Sequence, residues 1–251
     1  MGKLEGKVAI VTGGGSGIGR AFVHGLSDEG AKVAIAELNS QWADAVAKEL
    51  HEKGREVLSV SMDVSDEANT LATARTVVDR YGQIDILVNN AALFSDLKRN
   101  NWLEIPVEEW DRVMAVNVRG VWLCCRAVAP YMIKKGKGKI VNMASNVVFG
   151  VPGLGLLHYT ASKGAVLSLT RGLARDLGEH GINVNAIGPG LTVTEKTKMD
   201  QEQAKKKIQG RSLKRLGVPS DLVGTLIYLA SGDSDLLTGQ MIMVEGGATM
   251  Q

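Results

Sequence analysis

Tyr159 and Lys163 stand four residues apart in Tyr159-Thr160-Ala161-Ser162-Lys163, a spacing that puts both on one face of a helix about a turn apart. Upstream, Ser145 follows an apolar run that reads as a strand, at the kind of strand end where open α/β sheets bind ligands. A hydroxyl, a phenol and an amine in that relation suit proton transfer. A tyrosine near pKa ~10 is a poor base at neutral pH, but an ammonium about 5–6 Å away at an effective dielectric near 20 contributes roughly 3 kcal/mol, about two pKa units. By itself a Tyr-x-x-x-Lys pair describes an ordinary helix surface, so the chemistry depends on what accompanies it.

What accompanies it is Thr12-Gly13-Gly14-Gly15-Ser16-Gly17-Ile18-Gly19, between a strand pattern and a helix pattern. Glycines at such a turn let backbone N–H groups approach a pyrophosphate at the positive end of the helix. The spacing is G-x-x-x-G-x-G, not G-x-G-x-x-G, and Arg20 and Ala21 stand where a nucleotide-triphosphate loop needs Lys and Ser or Thr. Eighteen residues past Gly19, at the end of the second strand pattern, lies Glu37. An acid there accepts hydrogen bonds from ribose hydroxyls and repels a 2′-phosphate. With no Lys or Arg at 14–16 or 38–39, the expected cofactor is NAD rather than NADP.

The elements that must position these groups follow from the apolar pattern. Short β-branched runs at 7–12, 32–36, 57–60, 84–89, 139–144, 182–187 and 240–244 alternate with helical patterns near 17–29, 41–53, 66–81, 108–133, 157–178 and 220–231, with Ser65 and Ser220 as candidate N-caps. This βαβ repetition predicts an α/β fold with a parallel sheet covered on both faces, and seven runs favour an open, doubly wound, Rossmann-like sheet over an eight-stranded barrel. Nothing marks a boundary within 1–251, so one domain is expected, with 191–215 as a substrate lid; its polar part, 194–210, reads as loose chain.

Composition narrows the partners. Lys plus Arg number 29 against 27 Asp plus Glu, which leaves no basic footprint for nucleic acid. No uninterrupted apolar run suggests a membrane span, and the adjacent Cys124 and Cys125 give neither a disulfide framework nor a metal spacing. His24, His51, His158 and His180 share no ligand spacing, so no metal is expected. A cytoplasmic protein acting on a small molecule is the expectation.

With these motifs in place, the chain resembles the short-chain dehydrogenase/reductase family along essentially its whole length. Thr12–Gly19 is similar to that family's cofactor turn, which implies cofactor contacts at Gly13, Ser16, Gly17, Ile18 and Gly19. Asp63-Val64 resembles its adenine-contacting pair, and Asn89-Asn90-Ala91-Ala92 its NNAG segment, with Ala92 in place of Gly and with Asn90 and Ala91 at the cofactor. The resemblance implies a catalytic tetrad of Asn117, Ser145, Tyr159 and Lys163, in which Asn117 helps hold a water near the lysine. Pro189-Gly190-Leu191-Thr192-Val193-Thr194 resembles the segment at the nicotinamide carboxamide, implying contacts from Pro189, Gly190, Thr192 and Thr194.

The implied reaction is hydride transfer between NAD and a secondary alcohol or ketone. Tyr159 exchanges the hydroxyl proton, Ser145 holds the substrate oxygen, and Lys163 lowers the tyrosine pKa and binds the nicotinamide ribose. Leu93, Phe94 and the stretch 146–154 are expected to line the mouth. The family also implies a homotetramer paired through the helices near 108–133 and 157–178, with Trp122, Cys124 and Cys125 as apolar surface. Two other readings stay open: a non-catalytic dinucleotide-binding regulator, and a dehydratase or epimerase that retains its NAD.

Overall fold

Along the first strand, β1 (Val8–Thr12), the side chains divide between two cores: Ala9 and Val11 pack into one cluster, Val8 and Ile10 into another. The second strand, β2 (Lys32–Glu37), does the same with Val33 and Ile35 on one side and Ala34 and Ala36 on the other. A strand whose residues point alternately to opposite faces can bury all of them only if helices cover both faces. That is the arrangement observed in the computed structural model, which describes residues 2–150, 155–197 and 199–249.

Five more strands complete one parallel sheet: β3 (Val57–Ser61), β4 (Ile86–Asn89), β5 (Gly138–Met143), β6 (Ile182–Pro189) and β7 (Met241–Val244). Their order is β3-β2-β1-β4-β5-β6-β7, so the expected seven-stranded doubly wound sheet is present. Helices α1 (Gly17–Asp28) and α2 (Ser40–His51) contribute to the first core, together with the later helix over 220–230. Helix α3 (Glu67–Tyr81) contributes to the second. The strand order reverses between β1 and β4, and the carboxyl ends at such a switch point are where doubly wound folds take their ligands.

Several local expectations change. The helix expected over 108–133 is α4 (Val107–Met114), a π turn (Ala115–Arg119) and α5 (Gly120–Lys135). By length and composition the continuous run Val107–Lys135 could cross a bilayer, although no uninterrupted apolar stretch announces it. Half of its apolar window is buried, and its contacts with α3 and the sheet account for that character. Ser65 is not the cap of α3; its hydroxyl donates to Asp63 Oδ1, and Asp66 caps the helix by accepting from Asn69 N–H. Ser220 is the first residue of α8 (Ser220–Ala230), not its cap.

Helix α6 (Leu157–Gly178) matches the expected span. The segment read as loose contains α7 (Gln201–Gln209), where Asp200 accepts from Gln203 N–H and Glu202 pairs with Lys206 one turn on. Charged residues and glutamines on seven of its nine positions hide this helix from an apolar-periodicity reading.

Candidate active site

The glycine turn leaves β1 and enters α1 by a path that excludes side chains. Gly13 and Gly17 adopt φ values of 63° and 55°, in the left-handed region that glycine tolerates best. A Cβ on Gly19 would lie 2.0 Å from the Gly13 carbonyl oxygen, and one on Gly15 would lie 2.7 Å from Trp42 Cβ. The turn is pinned from β4: Asn90 Nδ2 donates to the Thr12 and Gly13 carbonyls, each at 3.0 Å. Asn90 and Ala91 N–H both donate to Thr12 Oγ1 at 3.0 Å. Asn90 therefore shapes the turn from behind, and Thr12, not singled out in the sequence, is the acceptor that ties the two strands together.

At the opening of α1, Ser16 is the cap residue but makes no side-chain capping bond, and the side chain of Ile18 packs against the core. Backbone N–H groups at this helix end are the donors suited to a pyrophosphate. Glu37 is nearly buried, with Oε2 accepting from Gly15 N–H at 3.1 Å and Oε1 from Asn39 N–H at 3.2 Å. Its carboxylate faces the turn, whereas its neighbour Leu38 is exposed. Asp63, beyond β3, accepts from the N–H and hydroxyl of Ser65, and Val64 packs against Gly120 at the start of α5.

Ser145 and Tyr159 meet at the carboxyl edge of β5. Both are buried, and Ser145 lies near enough to the phenol to pull its pKa downward. Ser145 Oγ also accepts from Val147 N–H at 3.3 Å, which fixes the turn that carries it. The Phe94 ring lies 4.8 Å from the Tyr159 ring, tilted 47° to it. Of the other expected lining residues, 151–154 lie outside the described residues.

Lys163 is buried one turn along α6 from Tyr159, with Nζ 5.7 Å from the tyrosine ring centre and donating to the Met143 carbonyl at 2.7 Å. The expected lowering of the tyrosine is not found in this structure. Burial pushes the Tyr159 hydroxyl up to about 12, against a downward pull from Ser145, and burial lowers Lys163 to about 8. Desolvation sets both directions, because both groups are withdrawn from water.

Asn117 sits in the π turn, fully buried, and its amide is already committed. Oδ1 accepts from Leu93 N–H at 2.8 Å, and Nδ2 donates to the Leu93 carbonyl at 3.2 Å and to Ser162 Oγ at 3.1 Å. A π turn carries one residue more than an α turn, which re-aims a side chain within a helix. Ser162 lies between Tyr159 and Lys163 in sequence, with no local signal of a role. Its hydroxyl in turn donates to the Tyr159 carbonyl at 2.7 Å. His158 points away from the site, with Nε2 3.1 Å from Glu109 Oε1.

The segment after β6 crosses back to the glycine turn. Gly190 N–H donates to the Val244 carbonyl, Thr192 Oγ1 donates to the Gly190 carbonyl, and Pro189 ends the strand opposite Val244. A methyl group of Thr194 lies 3.3 Å from where a Cβ of Gly17 would be, so Thr194 and the turn share one cleft. Arg211, also missed in the sequence, is buried and donates to the Leu191 carbonyl at 2.8 Å, bracing this segment from beyond α7. Among the described residues, no group of three or more His, Cys, Asp and Glu side chains converges to hold a metal.

The cleft thus has a close-approach glycine turn at a helix N-terminus, an acid at the next strand end and a Ser–Tyr–Lys group beside it, and these features fit a dinucleotide. The short chain dehydrogenase family model matches residues 7–206, and the chain belongs to the short-chain dehydrogenase/reductase family, whose members are nicotinamide-dependent oxidoreductases. It is 42% identical over 262 residues to a sorbitol dehydrogenase of Cereibacter sphaeroides, covering 99% of each chain. It is 37% identical over 247 residues to a 3-oxoacyl-acyl-carrier-protein reductase of Thermotoga maritima, covering 98% of each. Among solved structures, a gluconate 5-dehydrogenase from Burkholderia cenocepacia in complex with NADP and tartrate superposes with a TM-score of 0.92 at 33% identity, over 98% of this chain and 96% of that one.

Proposed function

We infer that this protein is an NAD-dependent dehydrogenase/reductase that interconverts a secondary alcohol and a ketone, with Tyr159 as its acid and base. The observation that carries this reading is the buried Ser145–Tyr159 pair at the end of β5, with Lys163 one helical turn along α6 and its Nζ 5.7 Å from the tyrosine ring centre. A bound nicotinamide dinucleotide supplies or accepts the hydride. Ser145 orients the substrate oxygen, and Tyr159 takes its proton during oxidation and returns it during reduction. Lys163 supports the ribose side of the cofactor. The side chain of Asn117, spent on Leu93 and Ser162, acts by holding α6 against the π turn rather than by carrying a water.

Within the cofactor cleft, Gly13, Ser16, Gly17, Ile18 and Gly19 receive the pyrophosphate through backbone donors, and Asn90 and Ala91 fix the turn. Glu37 receives the adenosine ribose, Asp63 and Val64 flank the adenine, and Pro189, Gly190, Thr192 and Thr194 flank the carboxamide. In this reading 191–215 forms the cover of a single catalytic domain, and the Phe94 wall favours a substrate with an apolar face beside its carbinol. Two buried free thiols, Cys124 and Cys125, suit a reducing cytoplasm.

The test is NADH absorbance across a broad panel of alcohols and ketones, with Tyr159→Phe beside the parent. The variant is expected to lose about 10²- to 10⁴-fold in turnover while binding NADH within a few fold. Turnover within tenfold of the parent overturns the assignment of Tyr159.

A further inference from the structure

The N-terminus of α1, where the cofactor reading places the pyrophosphate, holds a carboxylate from the protein itself. Glu195 Oε1 accepts from Gly17 N–H at 2.6 Å, across 178 residues of sequence. The helix has no acidic residue in its first turn and no side-chain cap from Ser16. Glu195 therefore supplies the anion that a helix N-terminus favours.

Two neighbours of Glu195 seat it there. The Thr194 methyl lies 3.3 Å from where a Cβ of Gly17 would stand, closer than an ordinary contact, so the approach suits a residue with no side chain. Lys196 Nζ lies 3.9 Å from the centre of the Trp42 ring on α2, and Trp42 in turn borders Gly15. Consecutive residues thus grip the glycine turn, its first N–H and the helix beyond it.

We propose that Glu195 is an internal competitor for the pyrophosphate site, a latch that closes 194–197 over the glycine turn until a dinucleotide displaces it. The inference rests on the cofactor reading above. One N–H cannot satisfy a carboxylate and a phosphate oxygen together at full strength, and the two anions repel at that range. Dinucleotide binding must then release Glu195 and withdraw Lys196 from Trp42. Part of the intrinsic affinity is spent on opening, in proportion to how rarely the open form is populated. The latch couples the filling of the pyrophosphate site to the position of the segment that leads into α7.

The experiment is calorimetric titration of ADP-ribose, which carries the diphosphate without the nicotinamide ring, and of NADH into the parent, Glu195→Ala and Glu195→Gln. Glu195 is exposed, so both variants are expected to fold, as circular dichroism would verify. Removing a carboxylate from a helix N-terminus is expected to tighten both ligands about two- to fivefold, with a gain that shrinks as salt rises. In the parent, ADP-ribose should also change tryptophan emission in a way that Trp42→Phe abolishes.

Unchanged or weaker ADP-ribose binding in both variants, with the parent still binding NADH, overturns the latch and leaves the cofactor reading intact. A parent that binds neither ligand overturns both.

Discussion

Asn117 Nδ2 lies 3.1 Å from Ser162 Oγ, and through that contact the π turn holds the first turns of α6. The chain of bonds runs from the backbone of Leu93 through Asn117 and Ser162 to the carbonyl of Tyr159. Every member is in or beside the site, and its two central side chains are fully buried.

Ser162→Ala removes an acceptor from Asn117 in a place water does not reach. A buried donor that loses a partner costs about 1–3 kcal/mol, reduced here because Leu93 still accepts from the same amide. Thermal melts should show a loss of several degrees. If Ser162 positions Tyr159, kcat falls about tenfold while the NADH dissociation constant stays within twofold. A purely structural role would lower Tm without that division.

Burial lowers Lys163 from the ordinary 10.5 to about 8, roughly 3 kcal/mol against the charged form at neutral pH. Between those two values the unfolded chain binds the extra proton, so this group makes the fold more stable as pH rises from about 8 toward 10.5. Lys163→Met should raise Tm relative to the parent at pH 7, with the difference narrowing by pH 9.5. Measurements belong below pH 10, because Tyr159, raised to about 12, contributes stability that is lost from there upward. A difference independent of pH would mean that the amine is not desolvated as described.

Glu37 turns its carboxylate to the glycine turn, where a 2′-phosphate would meet it. At about 4–5 Å and an effective dielectric near 20, that approach costs roughly 3–4 kcal/mol before screening. NAD should exceed NADP in kcat/KM by about 10²-fold, and Glu37→Ser with Leu38→Arg should move the ratio at least tenfold toward NADP. Arg20 does not offset the repulsion, since it pairs with Glu49 at 2.7 Å. Equal kcat/KM values, or a preference for the cofactor bound in the gluconate 5-dehydrogenase complex, would assign specificity to another residue.

The groove between the α4–α5 run and α6, lined in part by Arg112, Val118, Trp122 and Leu169, is the face expected to meet a second copy. Cys124 and Cys125 take no part in it, being buried within the chain, whereas Trp122 is exposed beneath Arg126. Sedimentation should give about four times the chain mass, and Trp122→Glu should shift it to smaller species. A parent that sediments as a monomer at micromolar concentration would overturn the tetramer.

The strands were legible because each is a short β-branched run closed by polar or glycine residues, and both faces of Val8–Thr12 and Lys32–Glu37 are apolar. The Ser, Tyr and Lys positions could be read from local spacing plus one strand end. What stayed hidden depends on side chains meeting across long sequence separations. Nothing near Ser162 reveals that Asn117 will reach it, nothing near Glu195 reveals Gly17, and no local signal marks Arg211 as a brace for Leu191. The π turn escaped notice because its apolar pattern continues the helices on either side. The direction of the tyrosine shift is hidden too, because spacing gives a distance to the ammonium but not the loss of water around both groups.

The paired thiols of α5 carry a consequence for time rather than for chemistry. Cys125 is raised to about 12 by burial and Cys124 is pushed higher still, so neither is an available nucleophile in the closed fold. A thiol reagent can reach them only when α5 leaves its bed between α3 and the sheet. Their labelling rate is therefore a built-in clock for that opening, and a ligand that stops the clock is one that binds the closed protein.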